Sequence, residues 1–207
     1  MTTHKGHDYL LSKLKYRDQN PDRGADIDQE VWAEVGCVGA VLISDTAGFT
    51  RLTEKCGVIH ALALIQRGVD IARPIINEHK GIVIKQEADN MVNLFPSVNE
   101  ALNAAVSINQ ALARHNATLD NPDLHTRFSF GMDWGKVLKL SHDIFGAPVN
   151  IASKLGEDTA SGGEILLSKA SADLLKSTPQ GCSLGPWTKV SYSGVELTYR
   201  HAITNPA

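Results

Sequence analysis

From Cys37 onward the apolar residues switch between a period of two and a period of three to four, in the order strand, helix, strand, strand, helix, strand. Few chain paths accept that order. Residues 37–45 read as a buried strand closing on Val41-Leu42-Ile43-Ser44-Asp45. Residues 49–56 open a helix. A second over 58–79 carries Val58, Leu62, Ile65, Val69, Ala72 and Ile76 on one face, and Pro74 is expected to kink or shorten it. Residues 81–85 and 91–95 flank Ala88-Asp89-Asn90 as the arms of a hairpin. Another amphipathic helix fits 97–116 through Val98, Leu102, Ala105, Ile108 and Leu112. Residues 127–132 alternate as a strand, and a separate strand is expected at 137–141 after Trp134-Gly135. A helix near 147–156, a strand at 164–167, a helix at 168–176 and two C-terminal strands complete the reading. The order describes an α+β chain with a ferredoxin-like βαββαβ core, its mixed or antiparallel sheet flanked by helices.

Residues 1–36 differ: one apolar cluster (Tyr9-Leu10-Leu11, Leu14, Tyr16) is followed by the turn-rich stretch 18–24. They read as a short helix plus linker outside the main core, leaving residues 37–207 as the principal domain. A formal charge of −3 gives no general attraction to nucleic acid or to an anionic membrane. The three cysteines, Cys37, Cys56 and Cys182, have no zinc-site spacing and fit reduced thiols. No apolar stretch approaches about 18 residues and the first residues lack a signal-peptide core, so a soluble, cytoplasmic chain is expected. The eight histidines show no ligand spacing.

Two aspartates carry the chemistry. Asp45 ends a strand and is followed by Thr46-Ala47-Gly48-Phe49-Thr50, a Gly-containing strand-to-helix turn whose backbone N–H groups can hold phosphate. Asp89 sits at the hairpin tip. Brought alongside Asp45, it makes a pair able to hold two divalent cations for in-line displacement at phosphorus. The plain alternatives are a helix cap for Asp45 and a turn residue for Asp89.

Three ordered blocks resemble the catalytic domain of the class III adenylate and guanylate cyclases. They are residues 45–50, the stretch from Lys85 to Asp89 with Phe95 beyond it, and Asp143-Ile144-Phe145-Gly146-Ala147-Pro148-Val149-Asn150-Ile151-Ala152-Ser153. The likeness extends over roughly residues 37–203, and the separation of Asp45 from Asp89 is typical of that family. The resemblance implies Asp45, Asp89 and the Thr46 carbonyl as ligands of two Mg²⁺ or Mn²⁺ ions. It implies backbone contacts to a triphosphate from Ala47, Gly48, Phe49 and Thr50, with the Phe49 side chain in the core. It makes Lys85 and Asp143 the base-reading pair, Asn150 the ribose-positioning residue, and Lys154 the residue standing where the family carries an arginine. A lysine only donates and an ionised aspartate only accepts, which matches adenine's ring nitrogen and amino group and reverses guanine's pattern. Such mispairing discriminates by roughly 10⁴-fold in a dry site. The implied reaction converts ATP to 3′,5′-cyclic AMP and pyrophosphate at sites shared between the two chains of a homodimer.

This chain departs from the family pattern at three places. Lys154 keeps the charge but loses the planar guanidinium. The stretch Val190-Ser191-Tyr192-Ser193-Gly194 lacks the phosphate-binding lysine of the last turn, with Lys189 close by. Ala88 replaces a glycine, which is tolerable only if the backbone there does not need positive φ. Trp134, between Gly131 and Gly135, is expected to pack at an interface. Two alternatives stay open: a homologue that binds nucleotide or dimerises without turnover, and a cyclase acting on GTP or a pyrimidine nucleotide.

Overall fold

A computed structural model describes residues 5–192 and 194–204. The elements run α1 (His7–Gln19), α2 (Gly24–Val35), β1 (Gly36–Thr46), α3 (Phe49–Cys56), α4 (Val58–Glu78), β2 (Ile82–Glu87), β3 (Asn90–Phe95) and α5 (Val98–Asn116). They continue with β4 (Phe128–Lys139), β5 (Ile144–Phe145), α6 (Ala147–Gly156), β6 (Ile165–Ser168), α7 (Lys169–Leu174), β7 (Cys182–Leu184), β8 (Thr188–Tyr192) and β9 (Val195–Thr204). The sheet order is β2-β3-β1-β4-β6-β9-β7, with β5 paired to β4 and β8 to β9. β1, β2, β3 and β4 pair antiparallel with α4 and α5 as the crossovers, which is the ferredoxin-like core; β6 joins β4 in parallel.

β1 lies inside the sheet, between β3 and β4, and is covered on both faces, which is why it reads as an unbroken apolar run. Ala40 and Leu42 face α4 and α5 with Ile65, Val69, Ile108 and the buried rings of Phe95, Phe128 and Phe130. Each such ring contributes roughly 1.5–3 kcal/mol by leaving water. Val41 and Ile43 face the other way, onto Ile84, Val92, Val137 and Ala152 of α6. Because side chains alternate along a strand, Asp45 continues the second set and emerges on the α6 face.

α6 reaches that face through two glycines. A Cβ on Gly131 would lie 2.0 Å from the Ala152 carbonyl oxygen and 2.3 Å from the Gly156 nitrogen, so the helix rests on bare backbone. Gly131→Ala is therefore expected to cost about 2–3 kcal/mol, since backbone rather than a rotatable side chain would have to move. Urea unfolding of the variant measures this, and a midpoint equal to wild type would refute the close contact.

Several elements differ from the sequence reading. Among the described residues of the 1–36 stretch, 5–36, there are two helices rather than one helix and a linker. α1 and α2 pack by Leu10, Ile27, Val31 and Val35 onto Leu140, and Arg17 forks onto Asp28 at 2.6 and 2.9 Å. The apolar residues of α2 are four apart and separated by acids, too sparse to stand out. They do form a cluster apart from the main core. β4 is one continuous strand through Trp134-Gly135, because β1 pairs with it from Gly36↔Leu138 to Thr46↔Phe128. Trp134 is not in a turn; it is partly buried against the main core. α4 continues past Pro74 to Glu78, and among the described residues the C-terminal region holds three strands, not two.

Candidate active site

Asp45 and Asp89 converge. β1 brings Asp45 to the end of its ladder, and the two-residue tip of the β2–β3 hairpin brings Asp89 beside it. The Thr46 hydroxyl donates to the Asp89 carbonyl at 3.3 Å, and the Ser129 hydroxyl to the Asp45 carbonyl at 3.3 Å, tying tip and strands together. Burial first, then the charge of Asp89 and a hydrogen bond shared with it, push the Asp45 carboxyl up to about 7. Glu157, just past α6, adds a smaller repulsion to Asp45, and burial raises its own carboxyl as well. Among the described residues no group of three or more His, Cys, Asp or Glu side chains is gathered as a metal cage. The donor set is therefore two hard carboxylates with mutual repulsion and nearby backbone oxygen. That suits Mg²⁺ or Mn²⁺, which keep several ligand positions for water and phosphate.

Ala88 occupies the first central position of the hairpin tip, between the paired Glu87 and Asn90, and its φ is +50°. This is the slot a glycine takes in a hairpin turn with positive φ. The condition under which alanine is harmless is thus not met. Holding an alanine there costs about 1–2 kcal/mol. Ala88→Gly should raise thermal stability by about 0.5–1 kcal/mol after the added freedom of the unfolded chain is subtracted. A lower melting temperature for the variant would contradict the strained turn.

The loop after Asp45 offers fewer donors than its sequence promises. The Ala47 N–H is engaged by the Arg127 carbonyl at 3.0 Å. Gly48, with φ +83°, turns the chain into α3, whose own ladder starts at the Leu52 N–H. The N–H groups of Phe49 and Thr50 lie in the first turn of that helix, where no helical partner exists. The Phe49 side chain packs against the main core.

Lys85 and Asp143 meet. The Lys85 Nζ lies 3.1 Å from Asp143 Oδ1, and both side chains are about one-quarter exposed, at 26% and 27%. Asp143 is aimed by a hydrogen bond from the Ile144 N–H at 2.9 Å, just before β5 pairs with β4. Glu87 is a second partner of Lys85 at 3.2 Å, a contact the sequence reading missed. Burial works against the Lys85 charge, but the hydrogen bonds to Asp143 and Glu87 outweigh it and raise its pKa.

Asn150 and Lys154 stand one turn apart on the exposed face of α6, whose other face buries Pro148, Ala152 and Leu155. Lys154 is occupied: its Nζ donates to Asp158 at 2.6 Å and lies 5.4 Å from the centre of the Tyr192 ring. The Tyr192 hydroxyl in turn donates to the Lys154 carbonyl at 3.0 Å, which pins the β8–β9 hairpin to the end of α6. Lys189 is likewise tied to Glu196 at 2.8 Å across that hairpin. Ser193 lies outside the described residues. Asp158 and Tyr192 were not singled out from sequence; the Lys154–Asp158 spacing of four on a helix end was the available signal for the first.

Residues 32–200 match the family described as the adenylate and guanylate cyclase catalytic domain. A Rhizobium meliloti protein provisionally named adenylate cyclase 3 is 28% identical over 131 residues, covering 63% of this chain and 22% of its own length. The chain thus spans about a fifth of that relative. In three dimensions the guanylyl cyclase Cya2 superposes with a TM-score of 0.69 at 18% identity, over 82% of this chain and 93% of that one. The adenylyl cyclase CyaB of P. aeruginosa gives 0.67 at 18% identity, over 83% and 97%. These likenesses concern the fold.

Proposed function

Because the chain belongs to the adenylate and guanylate cyclase catalytic domain family, we propose that it converts ATP to 3′,5′-cyclic AMP and pyrophosphate at two equivalent sites of a homodimer. The observation that carries adenine over guanine is the Lys85–Asp143 contact at 3.1 Å. Placed against adenine, Lys85 donates to the ring nitrogen and Asp143 accepts from the amino group. Asp45 and Asp89 are the residues that would hold divalent cations, with the Thr46 carbonyl beside them. Bound there, such cations would supply charge neutralisation at the phosphates and favour ionisation of the ribose 3′-hydroxyl.

The 3′-oxygen forms its bond to the α-phosphorus as the bond from that phosphorus to the bridging oxygen breaks, pyrophosphate takes the electron pair, and the hydroxyl proton passes to water. The protein's part is positioning and charge placement. Asn150 orients the ribose. Lys154 meets the α-phosphate after leaving Asp158, an exchange of one exposed anion for another that costs little, because exposed ion pairs are worth about 0–1 kcal/mol. In the dimer one chain supplies Asp45 and Asp89 and the other Lys85, Asp143, Asn150 and Lys154.

A second reading, nucleotide binding without turnover, is favoured by the engagement of both Lys154 and Lys189 with acids. The test is incubation of the purified protein with each nucleoside triphosphate and Mg²⁺ or Mn²⁺, with products identified by mass. Cyclic AMP in excess over other cyclic nucleotides is the expected product. Cyclic GMP or a cyclic pyrimidine nucleotide as the main product would overturn the base assignment, and no cyclic product with any pair would leave the non-catalytic reading.

A further inference from the structure

We propose that the α1–α2 pair is a positioning element for Asp143 and thereby sets how strongly the site prefers adenine to guanine. The proposal rests on the cyclase reading above, in which Lys85 and Asp143 read the base.

Asp143 stands at the end of a tight turn. β4 and β5 pair as Leu138↔Phe145 and Lys139↔Ile144, and the Leu140 N–H donates to the Asp143 carbonyl at 2.8 Å, closing the turn on Ser141-His142. β5 is only two residues long, so the hairpin has few bonds of its own to hold it. Its place is fixed by what the flanking side chains enter. On the Asp143 side, Ile144 is buried in one cluster with Ile84, the neighbour of Lys85 on β2. On the other side, Leu140 is 1% exposed in the cluster of Leu10, Ile27, Val31 and Val35. One of the two anchors of Asp143 therefore belongs to α1 and α2.

The entry to α1 follows the turn closely. The Ser141 N–H donates to the Lys5 carbonyl at 3.0 Å. The His7 ring lies 6.2 Å from that of Phe145, within contact range of aromatic rings. Leu10, one turn beyond His7, shares its cluster with Leu140. Lys5 is paired with Glu34 at 3.3 Å, which ties the entry of α1 to the end of α2. Contacts at 140, 141 and 145 thus bracket Asp143 on both sides. Residues 5–10 precede the stretch 32–200 that matches the family, so the bracket comes from outside that stretch.

The consequence is geometric. Lys85 Nζ and Asp143 Oδ1 stand 3.1 Å apart, and hydrogen bonds weaken steeply as distance and angle drift. With the turn held, guanine meets both groups mispaired. With the turn loose, Asp143 withdraws from the base. Adenine then loses a bond and guanine sheds a mispaired contact, so the preference falls from both ends. A support that only stabilised the fold would change the melting temperature and leave the preference alone.

The experiment uses the whole chain with Mg²⁺ and measures affinity for 3′-deoxy-ATP and 3′-deoxy-GTP, which lack the attacking hydroxyl, by titration calorimetry. Wild type is compared with His7→Ala, Leu10→Ala and Leu10→Met, and with Ile65→Val in the main core as a destabilised control. Hydrogen exchange of residues 138–146 is followed in the nucleotide-free protein. Leu10→Ala should speed that exchange and lower the adenine-to-guanine affinity ratio by about tenfold, and His7→Ala should lower it by about threefold. Leu10→Met keeps the volume and should stay within about twofold of wild type. Ile65→Val should lower the melting temperature without moving the ratio. His7 is exposed, so its variant decides the matter even if Leu10→Ala fails to fold. An unchanged ratio in the alanine variants, with or without faster exchange, would overturn the positioning role and leave the cyclase reading standing. A wild type that prefers guanine, with a ratio that still moves in the variants, would keep the positioning role and remove the adenine assignment. Binding of neither analogue would remove the cyclase reading and the proposal with it.

Discussion

Asp45→Asn is expected to lower turnover by at least about 10³-fold while making the metal-free protein more stable at pH 8. On the proposed function the loss follows from removing one of two anionic groups that would gather cations around the phosphates, a term worth several kcal/mol in the transition state. The gain has the opposite origin. In the folded chain the Asp45 carboxyl is raised to about 7 by burial and by Asp89. An unfolded aspartate titrates near 3.9. Between those values the folded state binds more protons than the unfolded one, so stability falls as pH rises from about 4 to about 7 and stays low above. Asparagine carries no such cost. Because Asp45 is only half-buried, solvent screening reduces the full shift to about 1 kcal/mol. On the proposed metal role the same carboxyl must shed its proton to take a cation, so Mg²⁺ or Mn²⁺ affinity should weaken by about fivefold between pH 7 and pH 6 and binding should release protons. Melting temperatures in chelator at pH 5 and pH 8, with product assays, provide the check. A variant that keeps a tenth of the activity, or that melts with the wild-type pH slope, would sink the metal assignment.

Mixing two inactive homodimers, Asp45→Ala and Asn150→Ala, should restore activity from nothing to about a quarter of wild type. Random reassociation makes half the dimers mixed, and each mixed dimer holds one doubly damaged site and one intact site. The geometry gives this weight. Glu157, which lies close enough to repel Asp45, is seven residues beyond Asn150 on the same helix path, roughly 10 Å at 1.5 Å per residue. Asn150 is also exposed on α6. A ribose held by Asn150 and phosphates held near Asp45 within one chain would therefore need to bridge that gap along the helix. Subunit exchange is verified by mass-tagged chains. Exchange without recovery would mean that each site is built inside one chain.

What the local sequence determined is what local physics controls. The apolar run within residues 37–45 read as a buried strand, and the spacing of Ile65, Val69, Ala72 and Ile76 read as a helix stripe; both are buried as read. The family resemblance lay in short contiguous blocks, and contiguous blocks survive in one dimension. The places left open depended on residues far apart in the chain. Whether Ala88 is strained is decided by the Glu87–Asn90 pairing, which puts a positive φ at that tip. Whether β4 breaks at Trp134-Gly135 is decided by β1, whose ladder runs straight past it and outweighs the local turn signal. The resemblance had named Lys85 and Asp143 together, but the 3.1 Å between them exists because β2 and the turn before β5 converge. Lys154 is intact as a residue and engaged as a charge, because Asp158 and Tyr192 lie beside it. Residue types and periods determined the fold and nominated the site. Tertiary structure alone decided which of its charges are paired, as at Lys85 with Asp143 and Lys154 with Asp158, since pairing depends on distance through space and not along the chain.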